Sequence, residues 1–175
     1  MHRISFFVTL VSGLIVLIAV GHLAGTTAQE GTPVANQGFA GSWQVSVAPD
    51  QGPPLATLST YGADGTVVSS ALPAQQPPPG APTGLIFASA AHGAWQATGV
   101  DTANVTFVEL RADEHGQPLG TLSVHATITL DADGQTFSGA FVTSIADPDG
   151  NELASFSGTV QARRIVAEPP ATPGT

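Results

Sequence analysis

The sequence predicts an all-β protein that forms a single antiparallel up-and-down β-barrel of about eight strands. Between about Phe39 and Ala167, apolar residues alternate with polar ones at a period of two, and turn signals such as Asp-Gly separate the alternating segments. No window of comparable length combines helical spacing with caps. A β-sandwich is the alternative, but a barrel is favoured because closure leaves no exposed edge and the last strand is long enough to pair with the first.

The predicted strands follow from the alternation and the turns, in chain order. They are 39–48, 55–62, 66–72, 85–91, 94–99, 104–112, 119–131, 135–147 and 153–166. The clearest alternation is in 121–130, where every even-numbered residue is apolar and every odd-numbered one is polar. Asp64-Gly65, Asp133-Gly134 and Asp149-Gly150 predict hairpin turns, and 114–116 predicts a fourth. The weakest strand is 85–91, which could instead belong to the loop before it.

The two ends of the chain lie outside the predicted barrel. Residues 1–28 have the cationic start, apolar run and small residues of a signal peptide, with cleavage expected after Ala28; an uncleaved membrane anchor is the alternative. Residues 29–38 are predicted to be a linker, 39–167 the barrel domain, and 168–175 a disordered proline-rich tail. The proline cluster 73–82 predicts a long extended loop within the domain.

Charge and cysteine content exclude several classes of partner and site. After cleavage the chain keeps three arginines and no lysine against thirteen acidic residues, a formal charge of −10 (3 − 13). Such a protein repels nucleic acid and anionic membrane surfaces, so neither is an expected partner, and no membrane contact is expected after cleavage. The chain has no cysteine, which excludes disulfides and thiolate metal sites. The sequence does not determine the oligomeric state.

Catalytic and metal-binding motifs find little support. The chain has no Cys or Lys to act as a nucleophile, and no serine lies in a Gly-x-Ser-x-Gly elbow, so hydrolase chemistry is not expected. His92, His115 and His125 come from unrelated places, so the predictions are no metal site, no cofactor and no catalytic residue.

A short motif on the first strand gives a resemblance. Phe39-Ala40-Gly41-Ser42-Trp43 resembles the Gly-x-Trp motif of lipocalin-like (calycin) barrels, and the wider allene-oxide-cyclase-like kind fits as well. Asp-Gly hairpins followed by FSGTVQARRI also resemble exported bacterial barrels. The resemblance implies that Trp43 closes one end of the barrel and that an arginine on the last strand packs across it. Strand parity assigns that role to Arg164, not Arg163.

A second motif, Gly93-Ala94-Trp95-Gln96, repeats the pattern of Gly41-Ser42-Trp43-Gln44. Four positions are too few to establish a duplication, so the pair is interpreted as a fold signature. Trp95 is predicted to line or rim the interior; the alternative is that both tryptophans are core residues.

Residues 104–112 have an ambiguous alternation. If Val105 and Phe107 face inward, Glu109 and Arg111 form a polar anchor inside the barrel. If the other parity holds, Glu109 and Arg111 are a solvated pair worth little, and this second arrangement is the favoured one.

The predicted function is binding of a small apolar or amphipathic ligand inside an exported barrel, without catalysis. The predicted ligand-binding residues are Trp95, Phe107, Phe137, Phe141 and Phe156, with Glu109 and Arg111 included if they face inward. Two alternatives remain. One is a cyclase- or isomerase-like enzyme that uses Glu109, and the other is an extracellular interaction module without a pocket.

Overall fold

The computed structural model describes residues 38–75 and 84–169. This part of the chain contains no helix and folds as one antiparallel sheet of ten strands. The strands are β1 (Gly41–Pro49), β2 (Leu55–Tyr61), β3 (Thr66–Ser70), β4 (Ala74–Gln75), β5 (Ile86–Ala88), β6 (Ala91–Ala97), β7 (Thr102–Ala112), β8 (Pro118–Leu130), β9 (Thr136–Ala146) and β10 (Glu152–Arg164).

The sheet closes into an up-and-down barrel of eight strands, β1-β2-β3-β6-β7-β8-β9-β10. β10 returns to β1, with Trp43 opposite Arg164 and Pro49 opposite Gly158. The β7–β8 pairing completes the ring along most of the length of both strands. The predicted barrel is therefore confirmed and the β-sandwich alternative is wrong, because closure pairs strands that would be edges in a sandwich.

The two short strands extend the barrel past its rim. β5 pairs with β7 in nearly the same register as β6, displaced by one residue, and β4 pairs with β5 as β3 pairs with β6. β3 and β4 are thus two parts of one long interrupted strand, and so are β5 and β6. Ser89 lies between β5 and β6. Its backbone N–H donates to Leu110 O (3.0 Å), and its Oγ accepts from Leu110 N–H (3.0 Å).

This arrangement corrects the predicted boundaries in that region. The predicted strands 85–91 and 94–99 are two parts of one bulged strand, running over 86–88 and 91–97. A bulge adds an unpaired residue and shifts the alternation, so the period-two pattern breaks at a point where the strand itself continues.

The predicted turns all connect neighbouring strands. The amide of Gly65 donates to Gly62 O, that of Gly116 to Asp113 O, that of Gly134 to Asp131 O and that of Gly150 to Asp147 O. Gly65, Gly134 and Gly150 have positive φ, as the Asp-Gly pairs predict.

Several predicted segments lie outside the described residues. These are the signal peptide 1–28, the linker 29–38 except its last residue, most of the proline cluster 73–82, and the end of the tail 168–175. Within the described residues, no helix has the length and hydrophobicity needed to span a bilayer.

Candidate functional site

One end of the barrel is closed by aromatic side chains. Trp43 on β1 is fully buried, and its ring lies 4.9 Å from that of Phe137 in an edge-on arrangement. Its indole N–H donates to Phe39 O (2.9 Å), so the polar atom of the buried ring is satisfied. Phe39 and Tyr61 complete this closed end through further tilted and edge-on contacts.

Arg164 on β10 covers the closed end. Its guanidinium carbon lies 4.2 Å from the centroid of a Trp43 ring. The same guanidinium donates to Gly134 O (2.9 Å), Ala40 O (2.7 Å) and Gly38 O (2.5 Å), which joins a turn to the segment before β1. The inward parity of Arg164 and the exposure of Arg163 agree with the strand prediction.

The structure explains why the first position of the Gly-x-Trp motif is a glycine. Gly41 has φ +132°, and a Cβ on it would lie 2.6 Å from Arg164 Nη1. A side chain here would be strained and would also displace the arginine.

Trp95 belongs to this closed end as well. Its ring packs edge-on against Phe39 and Tyr61 with centroids 5.8 and 6.0 Å away, and its N–H donates to Gly62 O (2.8 Å). It is not among the residues that line the cavity. The structure therefore places Trp95 in the same buried core cluster as Trp43, which is the alternative interpretation of the repeated motif.

The other end of the barrel contains a cavity of about 140 Å³ that opens to solvent. For comparison, an engineered apolar cavity of about 150 Å³ holds benzene. Its lining residues are mostly apolar: Val45, Val47, Pro49, Leu55, Tyr61, Ala71, Ala91, Val105, Phe107, Leu122, Val124, Ala126, Ile128, Phe137, Phe141, Phe156 and Val160, with the polar residues Thr57, Ser59, Ser69, Gln75, Glu109 and Thr143.

Four of the predicted wall residues lie together on this cavity: Phe107, Phe137, Phe141 and Phe156. Phe137 forms part of the floor, since it also contacts Trp43. Phe141 and Phe156 meet edge-on at 6.4 Å. A Cβ on Gly158 would lie 2.7 Å from the Phe141 ring, so the absence of a side chain at that position lets the ring lie against β10.

Glu109 and Arg111 take the inward parity on β7. The favoured prediction of a solvated pair is wrong, because Ala103, Val105 and Phe107 bury the same face of the strand and the side chains of Glu109 and Arg111 follow at steps of two. Glu109 lines the cavity. Arg111 lies two residues further along β7, nearer the rim, and does not line the cavity.

The two charges are neighbours but do not form an ion pair. Within the described residues, no Lys or Arg nitrogen lies within 4.0 Å of an Asp or Glu oxygen, and the one contact of this kind is between His115 Nε2 and Glu114 Oε1, at 3.8 Å. Arg111 Nε is buried and has no hydrogen-bond partner there. Burial raises the pKa of the Glu109 carboxyl above its usual 4.5, an effect that Arg111 partly opposes, and burial lowers the pKa of Arg111.

The cavity wall also carries hydroxyl groups that the sequence did not single out. Ser59 on β2 and Ser69 on β3 are buried, with Oγ atoms 2.9 Å apart. Tyr61 and Thr143 are also buried and line the cavity, and burial raises the pKa of the Tyr61 hydroxyl, which keeps it protonated. Parity could have found them, since Ser59 shares the face of Tyr61, Ser69 that of Val67 and Thr143 that of Phe141.

The cavity can hold a compact apolar group and offer polar contacts. Glu109 supplies a carboxyl, and the hydroxyls of Ser59, Ser69, Tyr61 and Thr143 supply donors and acceptors. Among residues 38–75 and 84–169, no group of three His, Cys, Asp or Glu side chains is placed to hold a metal ion.

Comparison with known proteins does not assign the chain to a family. No protein-family model matches the chain, and no curated protein matches it. Among solved structures, a redesigned β-barrel is similar at 20% identity and a TM-score of 0.45, over 77% of this chain and 98% of that one.

Proposed function

We propose that this protein binds one small apolar or amphipathic molecule in the open end of its barrel, without transforming it. The observation that carries the proposal is the cavity of about 140 Å³, whose lining is apolar apart from a few polar groups. Its size fits a ligand of about one ring or a short chain.

Native mass spectrometry of the protein isolated from its own source tests the proposal directly. A stoichiometric small molecule that is released on denaturation is the expected result. A bare chain that also fails to bind toluene in calorimetric titration would contradict it and would favour an interaction module without a ligand.

A cavity-filling variant tests where the molecule binds. Ala126 lines the cavity on β8, so Ala126→Leu places three more carbons in the space and should reduce ligand binding at least tenfold. The control is Thr129→Leu on the same strand, because Thr129 faces solvent and this change should leave binding within about twofold. Equal affinities of the two variants would place the binding site elsewhere.

A catalytic role for Glu109 is the second candidate, since a carboxyl in a cavity wall with a raised pKa can serve as a general acid or base. In a cyclase- or isomerase-like barrel, Glu109→Gln would abolish turnover of the bound molecule and leave the protein folded. In a binding protein, the bound molecule is recovered unchanged from the wild-type protein.

A lipocalin-like relationship is part of the proposal. Its support is the set Gly41, Trp43 and Arg164, in which the arginine covers the tryptophan and needs the glycine.

We also propose export, with cleavage after Ala28. The support is the pattern of residues 1–28. The intact mass of the exported protein should correspond to a chain that begins at Gln29, and a mass that includes residues 1–28 would favour a membrane anchor.

A further inference from the structure

We propose that the ligand of the cavity is an organic cation. It consists of a small apolar group and a protonated amine, and the amine contacts Glu109. This inference rests on the proposed function and specifies its ligand class.

The first support is the position of Glu109 in the cavity wall. It is the one cavity-lining residue with an acidic side chain, and the other titratable group on the wall, Tyr61, is held neutral by burial. Within the described residues no ion pair engages the Glu109 carboxylate, and its charged neighbour is Arg111 on the same strand. A protonated amine would supply both the missing charge and the missing donors.

The second support is the cost of leaving that carboxylate without a partner. A partly buried carboxylate with no close donor is unfavourable, which is what the raised pKa of Glu109 reflects. An ammonium group beside Glu109 would remove much of this cost, whereas a ligand carboxylate would add a second negative charge at the same place.

The third support is the charge around the cavity mouth. The strand directions place the described loops 50–54, 113–117 and 147–151 at this end. These loops and the adjoining start of β10 carry the acidic residues Asp50, Asp113, Glu114, Asp147, Asp149 and Glu152. Arg163 and Arg164 lie at the opposite end, so within residues 38–75 and 84–169 Arg111 is the one arginine near the mouth. A negative mouth attracts cations and repels anions before they reach the cavity.

The apolar part of the ligand is limited by the walls. The cavity of about 140 Å³ is lined by Phe107, Phe141 and Phe156. It accommodates about one ring. The hydroxyls of Ser59 and Ser69, on β2 and β3, share one hydrogen bond, in which one hydroxyl donates to the other.

Three probes of similar size and shape test the inference by calorimetric titration at neutral pH. They are 2-phenylethylamine, 2-phenylethanol and phenylacetic acid, which carry a positive, a neutral and a negative end. The amine should bind at least tenfold more tightly than the alcohol, and the acid should bind most weakly.

Two variants on β7 give opposite expected signs. Glu109→Gln should reduce amine affinity about tenfold or more and leave alcohol affinity within about twofold. Arg111→Gln should increase amine affinity, because it removes a like charge. Near-ultraviolet circular dichroism verifies that each variant is folded, and amine binding to the wild type should weaken as the pH falls through the Glu109 pKa while alcohol binding stays constant.

The outcomes separate this inference from the function on which it rests. If the alcohol or the acid binds as tightly as the amine, or if Arg111→Gln weakens the preferred probe, the cation is wrong and a binding barrel remains. If no probe binds and native mass spectrometry finds no bound small molecule, the proposed function fails and the inference fails with it.

Discussion

The two ends of this barrel use the same eight strands but differ in what fills them. At the closed end, five aromatic rings contact one another, and both indole N–H groups donate to backbone carbonyls. At the open end, aliphatic residues, the three phenylalanines Phe107, Phe141 and Phe156 and two charged side chains face inward around a cavity. Close packing at one end supplies stability, and this allows the other end to give up packing and leave a cavity.

The closed end should account for the largest single loss of stability. Trp43→Ala removes a fully buried ring and should lower the free energy of unfolding by about 3–5 kcal/mol. Urea unfolding followed by circular dichroism measures this change. Leu110→Ala is the control near the open end, because Leu110 is 65% exposed and its loss should cost less than about 0.5 kcal/mol. Similar losses for the two variants would mean that the ends do not differ in this way.

Arg164 should contribute the next largest effect. Arg164→Met removes the contact over Trp43 and three hydrogen bonds to backbone carbonyls, at an expected cost of about 2–3 kcal/mol. Arg163→Met is the matched control on the next residue, which faces solvent, and should stay within about 0.5 kcal/mol of the wild type. Equal effects in thermal unfolding would refute the special role of Arg164.

A pair of glycines compares strain at the two ends. Gly41 and Gly52 both have positive φ, but a Cβ would meet Arg164 only at Gly41 and would have nothing within 4 Å at Gly52. Gly52→Ala should cost about 1 kcal/mol for the backbone alone, and Gly41→Ala about 1 kcal/mol more. In an Arg164→Met background this extra cost should disappear, and a double-mutant cycle that finds strict additivity would contradict the contact.

The smallest effect, and the one of opposite sign, is expected at Glu109. Its folded-state pKa is raised, so the folded state holds its proton more tightly than the unfolded state does. The wild type should therefore lose stability as the pH rises from the unfolded pKa through the folded one, and stay constant above. Glu109→Gln should remove this loss, so its advantage in unfolding free energy grows over the same interval. An unchanged pH profile would show that the carboxylate is solvated.

Much of the fold follows from local pattern. The alternation in 121–130, the Asp-Gly turns and the inward parity of Arg164 each depend on neighbours in sequence, and each is present in the structure. The interruption at Ser89 was missed because a bulge breaks the alternation without ending the strand. Ser59 and Ser69 were missed because serine is usually a surface residue, although strand parity places them on the buried faces of Tyr61 and Val67.

The sequence by itself determined the fold class, the turns and the inward parity of Arg164, because period-two patterning and turn chemistry are local properties. The closing role of Trp43 was an expectation from the resemblance to lipocalin-like barrels. Only the tertiary structure decided that Trp95 joins the closed end, that Glu109 faces a cavity and that the cavity exists. These features depend on which inward side chains from all eight strands meet at the same height in the barrel, and on whether their volumes fill it.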